Sequence, residues 1–70
     1  MRLAGLPNVA RFPEAEVSRG GEAITIRFSG LYYGEQTMSV PLKYVGGDAE
    51  EAELRLLAQL RHIGYRVRRG

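Results

Sequence analysis

The residue types that perform catalysis are scarce in this sequence. His62 is its only histidine, and it has no cysteine, which excludes thiolate metal sites, cysteine nucleophiles and disulfides. Glu14 and Glu16 lie two positions apart, on one face of a predicted strand, but no third metal ligand accompanies them. We therefore predict a protein that is not an enzyme and that uses no cofactor or metal ion.

Acidic residues cluster at one place, and their position indicates a structural role. They occupy the start of a predicted helix, where carboxylates cap the first turn and interact favourably with the helix dipole. The cluster consists of Asp48, Glu50, Glu51 and Glu53. His62 lies in the last turn of the same helix, where a partly positive side chain is stabilising.

The basic residues indicate binding rather than catalysis. The chain has 10 Lys and Arg against 8 Asp and Glu, a formal net charge of +2, which is too small for a polyanion-binding tail. All of these cations except Lys43 are arginines. Arginine binds phosphate in a bidentate manner, but a GC-rich genome produces the same bias.

A nucleic-acid interface is the first functional hypothesis. If a helix covers one face of the predicted sheet, cations and hydroxyl groups gather on the other face, where they can contact phosphates. Tyr32 and Tyr33, between Gly30 and Gly34, would stack on bases. The alternatives are a merely solvated polar face and rings that pack back on the sheet. The predicted phosphate contacts are Arg27, Lys43, Arg66, Arg68 and Arg69.

A protein interface is the second hypothesis. Leu54, Leu57 and Ala58 lie on a flank of the helix away from its predicted core face, so two copies could pair there as a homodimer. The N-terminal arm or a wider sheet could cover the same flank instead. In this interpretation the protein is a small regulatory or structural module, for example a phage or host factor, that acts through this flank or through a strand edge.

The best-defined element is a helix over residues 48–63. Asp48 is a good N-cap, Glu51 completes a capping box, and Gly64 suits the position after the last turn. Helical periodicity predicts a core-facing stripe of Ala49, Ala52, Leu56, Leu60 and Ile63.

Period-two alternation predicts strands over residues 14–18, 22–33, 36–45 and 65–69. Residues 22–43 form a hairpin whose turn we place at Gly34 and Glu35, with a bulge near Ser29 and Gly30. The inward side chains of this hairpin are Ile24, Ile26, Phe28, Met38, Val40 and Leu42. We predict an α+β fold of order β-β-β-α-β: a mainly antiparallel sheet of three or four strands with one amphipathic helix on one face.

Length and composition limit the remaining possibilities. The 70 residues fit one domain, residues 14–70, preceded by an arm over residues 1–13 whose structure we leave unassigned. No apolar run is long enough to span a membrane, and the first residues lack a secretory signal, so we expect a cytoplasmic protein. Few Asn, Gln and Met residues suggest a thermophile.

Two short segments resemble parts of known families. Residues 47–52 are similar to the start of the helix in small antitoxins with a partial double-stranded-RNA-binding fold, which have one more residue between the aspartate and the alanine. A second segment is similar to the first helix and strand of the matching RNA-cleaving toxins. It consists of Leu56, Leu57, Leu60, Gly64, Tyr65, Arg66 and Arg69. These resemblances assign no site residue to this chain.

Overall fold

The computed structural model describes residues 5–46 and 48–70, so the first four residues of the predicted arm and Gly47 lie outside it. The chain forms a four-stranded mixed sheet with a helix packed on it. This confirms the predicted α+β fold of order β-β-β-α-β. The elements are β1 (Glu14–Gly20), β2 (Ala23–Gly30), β3 (Gly34–Pro41), α1 (Leu42–Val45), α2 (Ala49–Ile63) and β4 (Arg66–Arg69).

The strands lie in the order β3-β2-β1-β4. β1, β2 and β3 are antiparallel neighbours, whereas β4 pairs in parallel with β1, with Glu14 opposite Arg66. A tight turn can join only antiparallel strands. A strand that enters the sheet in parallel must be reached by a longer crossover connection, which carries the chain back to the other end of the sheet. α2 provides that crossover and thereby lies across one face of the sheet.

The core lies between α2 and this covered face. Ile24, Ile26 and Phe28 of β2 are completely buried, as are Leu56 and Leu60 of α2. The side of the hairpin that was predicted to face inward is therefore the buried one, although the strands in closest contact with α2 are β1 and β4. Met38 and Leu42 pack on the same cluster and are partly buried.

Ile63 departs from the predicted core stripe, because its side chain is 42% exposed. It is the last residue of α2, and the chain turns at Gly64, whose φ is 126°. Tyr65 then enters the core, 4% exposed, with its ring centroid 5.0 Å from that of Phe28. Tyr65 is thus part of the core, whereas Ile63 is not.

The hairpin differs from its predicted form at both ends. The turn consists of Leu31, Tyr32 and Tyr33, and pairing is continuous up to Gly30 opposite Gly34, so the strands contain no bulge. A φ of 77° at Gly34 allows the chain to leave the turn there. β3 ends at Pro41, because proline cannot continue the ladder of hydrogen bonds.

The described part of the N-terminal arm is packed against the domain. Phe12 is buried, and Leu6 and Val9 are partly buried against the core. The hydroxyl of Tyr65 donates a hydrogen bond to the carbonyl of Pro7, and the amide of Arg66 donates to the carbonyl of Pro13 at 2.8 Å. The arm is thus held beside the start of β4. Within the described residues no helix is long and apolar enough to cross a membrane.

Candidate binding surfaces

The uncovered face of the sheet carries charged side chains from all four strands. Strand register brings Glu16 of β1 directly between Arg27 of β2 and Arg68 of β4. Glu14 lies in the neighbouring row, beside Arg66 of β4. We call this surface the sheet face, and its charged residues are Glu14, Glu16, Arg27, Glu35, Arg66 and Arg68.

Each arginine of the sheet face lies near a carboxylate. Arg27 Nη2 donates a hydrogen bond to Glu16 Oε1 at 2.7 Å, and Arg68 Nε is 3.4 Å from Glu16 Oε2. The longer pairs are those of Arg66 with Glu14 and of Arg27 with Glu35, both at 3.9 Å. Three arginines and three glutamates give the sheet face no net charge.

The other two predicted phosphate contacts lie elsewhere. Lys43 was predicted in β3, but it belongs to α1, because the strand ends at Pro41. Arg69 points to the helix side of the sheet, where its Nη2 donates to Glu53 Oε1 at 2.5 Å. The five predicted cations are therefore not brought together on one surface.

Exposed rings are concentrated at the turn between β2 and β3, residues 31–33, which we call the hairpin tip. Leu31 and Tyr32 are each 86% exposed, and Tyr33 is 55% exposed. The ring centroid of Tyr33 is 6.0 Å from that of Phe12, and the guanidinium carbon of Arg11 lies 5.3 Å from the same centroid. Tyr33 is thus supported by the arm, while Leu31 and Tyr32 extend into solvent.

Sequence reasoning did not identify Arg11. The arm has no clear periodicity, so no pattern in the sequence connects residue 11 with a tyrosine of the hairpin. No ion pair is found for Arg11 within residues 5–46 and 48–70. Its guanidinium lies at the hairpin tip, beside the ring of Tyr33.

The predicted apolar flank of α2 is smaller than expected. Leu54 is 50% exposed and Ala58 is exposed, but Leu57 is only 2% exposed and belongs to the core. The apolar stripe of the helix is wide enough to bury the neighbours Leu56 and Leu57 together. Leu57 is therefore buried within its own chain, and association through the flank of Leu54, Leu57 and Ala58 stays a prediction.

Glu53 has a different environment from the other carboxylates at the start of α2. It is 3% exposed, and its Oε1 interacts with both Arg69 of β4 and Arg19 of β1. Asp48, in contrast, caps the helix by accepting a hydrogen bond from the amide of Glu51 at 2.8 Å. The capping interpretation therefore holds for Asp48 but not for Glu53.

No cluster of three or more potential metal-ligating side chains is present in the part of the chain that the structure describes. Comparison of the chain with protein-family models, with curated proteins and with solved structures finds no match.

Proposed function

We propose that this protein is a binding module that anchors itself in an apolar pocket of a partner protein through the hairpin tip. The observation that carries this proposal is the 86% exposure of both Leu31 and Tyr32. Large side chains at a protruding turn cannot reach the hydrophobic core of their own domain, but they can fill a pocket of a partner. Tyrosine is one of the residues that most often dominate the energy of protein interfaces.

The environment of Tyr33 supports this proposal. Its contacts with Phe12 and Arg11 hold the base of the hairpin tip against the arm. A surface that is ordered before binding loses less conformational entropy when the complex forms. Arginine and tyrosine are also both enriched among the residues that contribute most to protein interfaces.

Charge pairing makes the sheet face a weaker candidate. Binding of a phosphate would have to compete with Glu16 for both Arg27 and Arg68. The attraction of a polyanion depends on cations that neutralise phosphates and release counterions. A face with equal numbers of paired arginines and glutamates offers little of that attraction.

Single-stranded nucleic acid is the second candidate partner, and it too would bind at the hairpin tip. Tyr32 is exposed, and Arg11 lies over the ring of Tyr33 without a carboxylate partner among the described residues. Aromatic rings that stack on bases, together with a cation, are the basic elements of sequence-independent single-strand binding.

Photo-crosslinking distinguishes these two partners. A benzophenone amino acid replaces Tyr32, and in a matched control it replaces Ser39, an exposed residue on the outer side of β3. Each variant is expressed in cells of the organism from which the protein comes, and the cells are irradiated. The adducts are then treated separately with protease and with nuclease.

We expect an adduct at position 32 that protease removes and nuclease does not, with none at position 39. An adduct that nuclease removes would support the second candidate instead. Equal adducts at both positions, or none at position 32, would overturn the role of the hairpin tip.

A further inference from the structure

A polar cleft lies at the end of the sheet remote from the hairpin tip. It forms where the β1–β2 turn, the start of α2 and the end of β4 meet, and its volume is about 450 Å³. The eight residues of β2 separate it from the hairpin tip by roughly 25 Å, at about 3.3 Å per residue. The residues that matter here are Arg19, Gly20, Gly21, Glu53, Arg69 and Gly70.

The buried carboxylate of Glu53 orients two arginines toward this cleft. Its Oε1 accepts a hydrogen bond from Arg69 Nη2 at 2.5 Å and lies 3.7 Å from Arg19 Nε. The two guanidinium groups come from different strands but approach the same oxygen atom. Their side chains remain 45% and 50% exposed, whereas that of Glu53 is 4% exposed.

This arrangement leaves unused hydrogen-bond donors at the cleft. Each guanidinium has about five N–H donors, and one carboxylate cannot accept from all of them. Two arginines and one glutamate give the cluster a local charge of +1. A second anion would therefore find donors that are already held in place, in contrast to the neutral sheet face.

The glycines allow an anion to approach the main chain. A Cβ atom added to Gly20 or Gly21 would meet no atom within 4 Å, so the space over this turn is open. Tetrahedral oxyanions fit such a site, because arginine binds phosphate through two parallel hydrogen bonds.

From these observations we propose that the cleft binds a phosphate monoester group between Arg19 and Arg69. The group could belong to a small molecule such as a nucleoside monophosphate or to the terminal phosphate of an oligonucleotide. The proposal is independent of the hairpin tip, because the two sites share no residue.

The test is a titration of the ¹⁵N-labelled protein with inorganic phosphate, followed by NMR at constant ionic strength. We expect saturable shifts of the main-chain amides of Gly20, Gly21 and Gly70 and of the Nε–H groups of Arg19 and Arg69. Sodium chloride alone must not produce them. Absence of saturable shifts at these positions, or identical shifts with chloride, would overturn the proposal.

Substitutions test the assignment of the two arginines. Arg19→Gln and Arg69→Gln should each weaken phosphate binding at least about tenfold, because each removes a charge-assisted hydrogen bond. The matched control is Arg55→Gln, since Arg55 pairs with Glu51 on α2 and does not line the cleft. Glu53→Gln should strengthen binding, because it raises the local charge from +1 to +2. Unchanged affinity in both Arg19→Gln and Arg69→Gln would exclude the site, even if Glu53→Gln fails to fold.

Two further ligands identify the source of the phosphate. Adenosine monophosphate and a 5′-phosphorylated oligonucleotide are titrated beside inorganic phosphate, each with its unphosphorylated counterpart. Binding of either phosphorylated ligand supports the site, and the tighter one identifies the ligand class. If the unphosphorylated counterparts bind equally well, the cleft does not recognise phosphate.

Discussion

The hydroxyl of Tyr65 donates a hydrogen bond to the main-chain carbonyl of Pro7, 58 positions earlier in the chain. Tyr65 itself is buried against Phe28, so this one side chain connects the core with the N-terminal arm. The arm in turn carries Phe12 and Arg11, which support the hairpin tip through Tyr33. The arm therefore connects the core of the domain with the hairpin tip, which is the proposed protein interface.

Tyr65→Phe should destabilise the protein by about 1 kcal/mol, because a partly buried hydrogen bond is lost while the ring is kept. Urea denaturation at neutral pH measures this loss. Tyr32→Phe serves as the control, since Tyr32 is 86% exposed and exposed substitutions change stability by less than about 0.5 kcal/mol. Equal effects of both substitutions would contradict the structural role of the Tyr65 hydroxyl.

Alkaline pH should also weaken the fold through Tyr65. Burial raises the pKa of its phenol above the ordinary value of 10.0, so the unfolded chain loses this proton at a lower pH than the folded chain. The contribution is therefore fully present below pH 10.0 and is lost as pH rises toward the higher folded pKa. Denaturation curves in this range should depend less on pH in Tyr65→Phe. An unchanged pH dependence in that variant would contradict the prediction.

Gly30→Ala should destabilise the protein by about 1–3 kcal/mol or more, because the added methyl group meets a main chain that cannot yield easily. A Cβ atom at Gly30 would lie 1.9 Å from the carbonyl oxygen of Arg11. Gly20→Ala is the matched control in β1, where a Cβ atom meets nothing within 4 Å. We expect that control to stay within about 1 kcal/mol of the original protein. Urea denaturation measures the stabilities of the two variants. Equal stabilities would show that the arm does not lie on Gly30.

Leu57→Ala should cost about 2–5 kcal/mol, because it leaves a cavity in the core. Leu54→Ala, three residues earlier and 50% exposed, should cost less than about 0.5 kcal/mol if the flank is free. Thermal unfolding of both variants measures the difference. A large loss of stability in Leu54→Ala that becomes smaller as the protein is diluted would instead indicate that a second copy covers this flank.

Glu16→Gln should turn the neutral sheet face into a positive one, because Arg27 and Arg68 lose the carboxylate between them. Affinity for a single-stranded oligonucleotide should then rise, with a log–log salt dependence steeper by about 0.7 for each arginine that gains a phosphate contact. Fluorescence anisotropy at several salt concentrations measures both quantities. The control is Glu51→Gln, which removes the partner of Arg55 on α2. It should leave the affinity and its salt dependence nearly unchanged. If Glu16→Gln behaves like this control, the ion pairs are not what limits binding at the sheet face.

Local patterns in the sequence predicted most of the fold. Asp48, Glu51 and Gly64 define the ends of α2 through hydrogen bonds with residues at most four positions away, and such short-range chemistry can be read from sequence. The alternation in β2 likewise identified its buried side, because one face of an antiparallel sheet packs against the core.

The candidate sites depend on pairings between distant residues, and these could not be predicted. The alternation placed Arg27 on the uncovered face but did not show that Glu16 lies directly opposite it, since that depends on the register of two strands. Glu53 looked like one more acidic residue at a helix start until Arg19 and Arg69 were brought to it by β1 and β4. Tertiary contact, rather than residue type, decides which arginines are neutralised.

The parallel placement of β4 beside β1 has a consequence for the order of assembly. The three antiparallel strands can join by local zipping, but the outer side of β1 has no neighbour until residues 66–69 arrive across α2. Closing such a long loop is slow compared with forming a hairpin. A chain that is still being synthesised, or a molecule from which β4 has detached, therefore exposes the unpaired backbone of β1, which can pair with other extended chains. The arginine-rich strand β4 covers this edge only once it has docked.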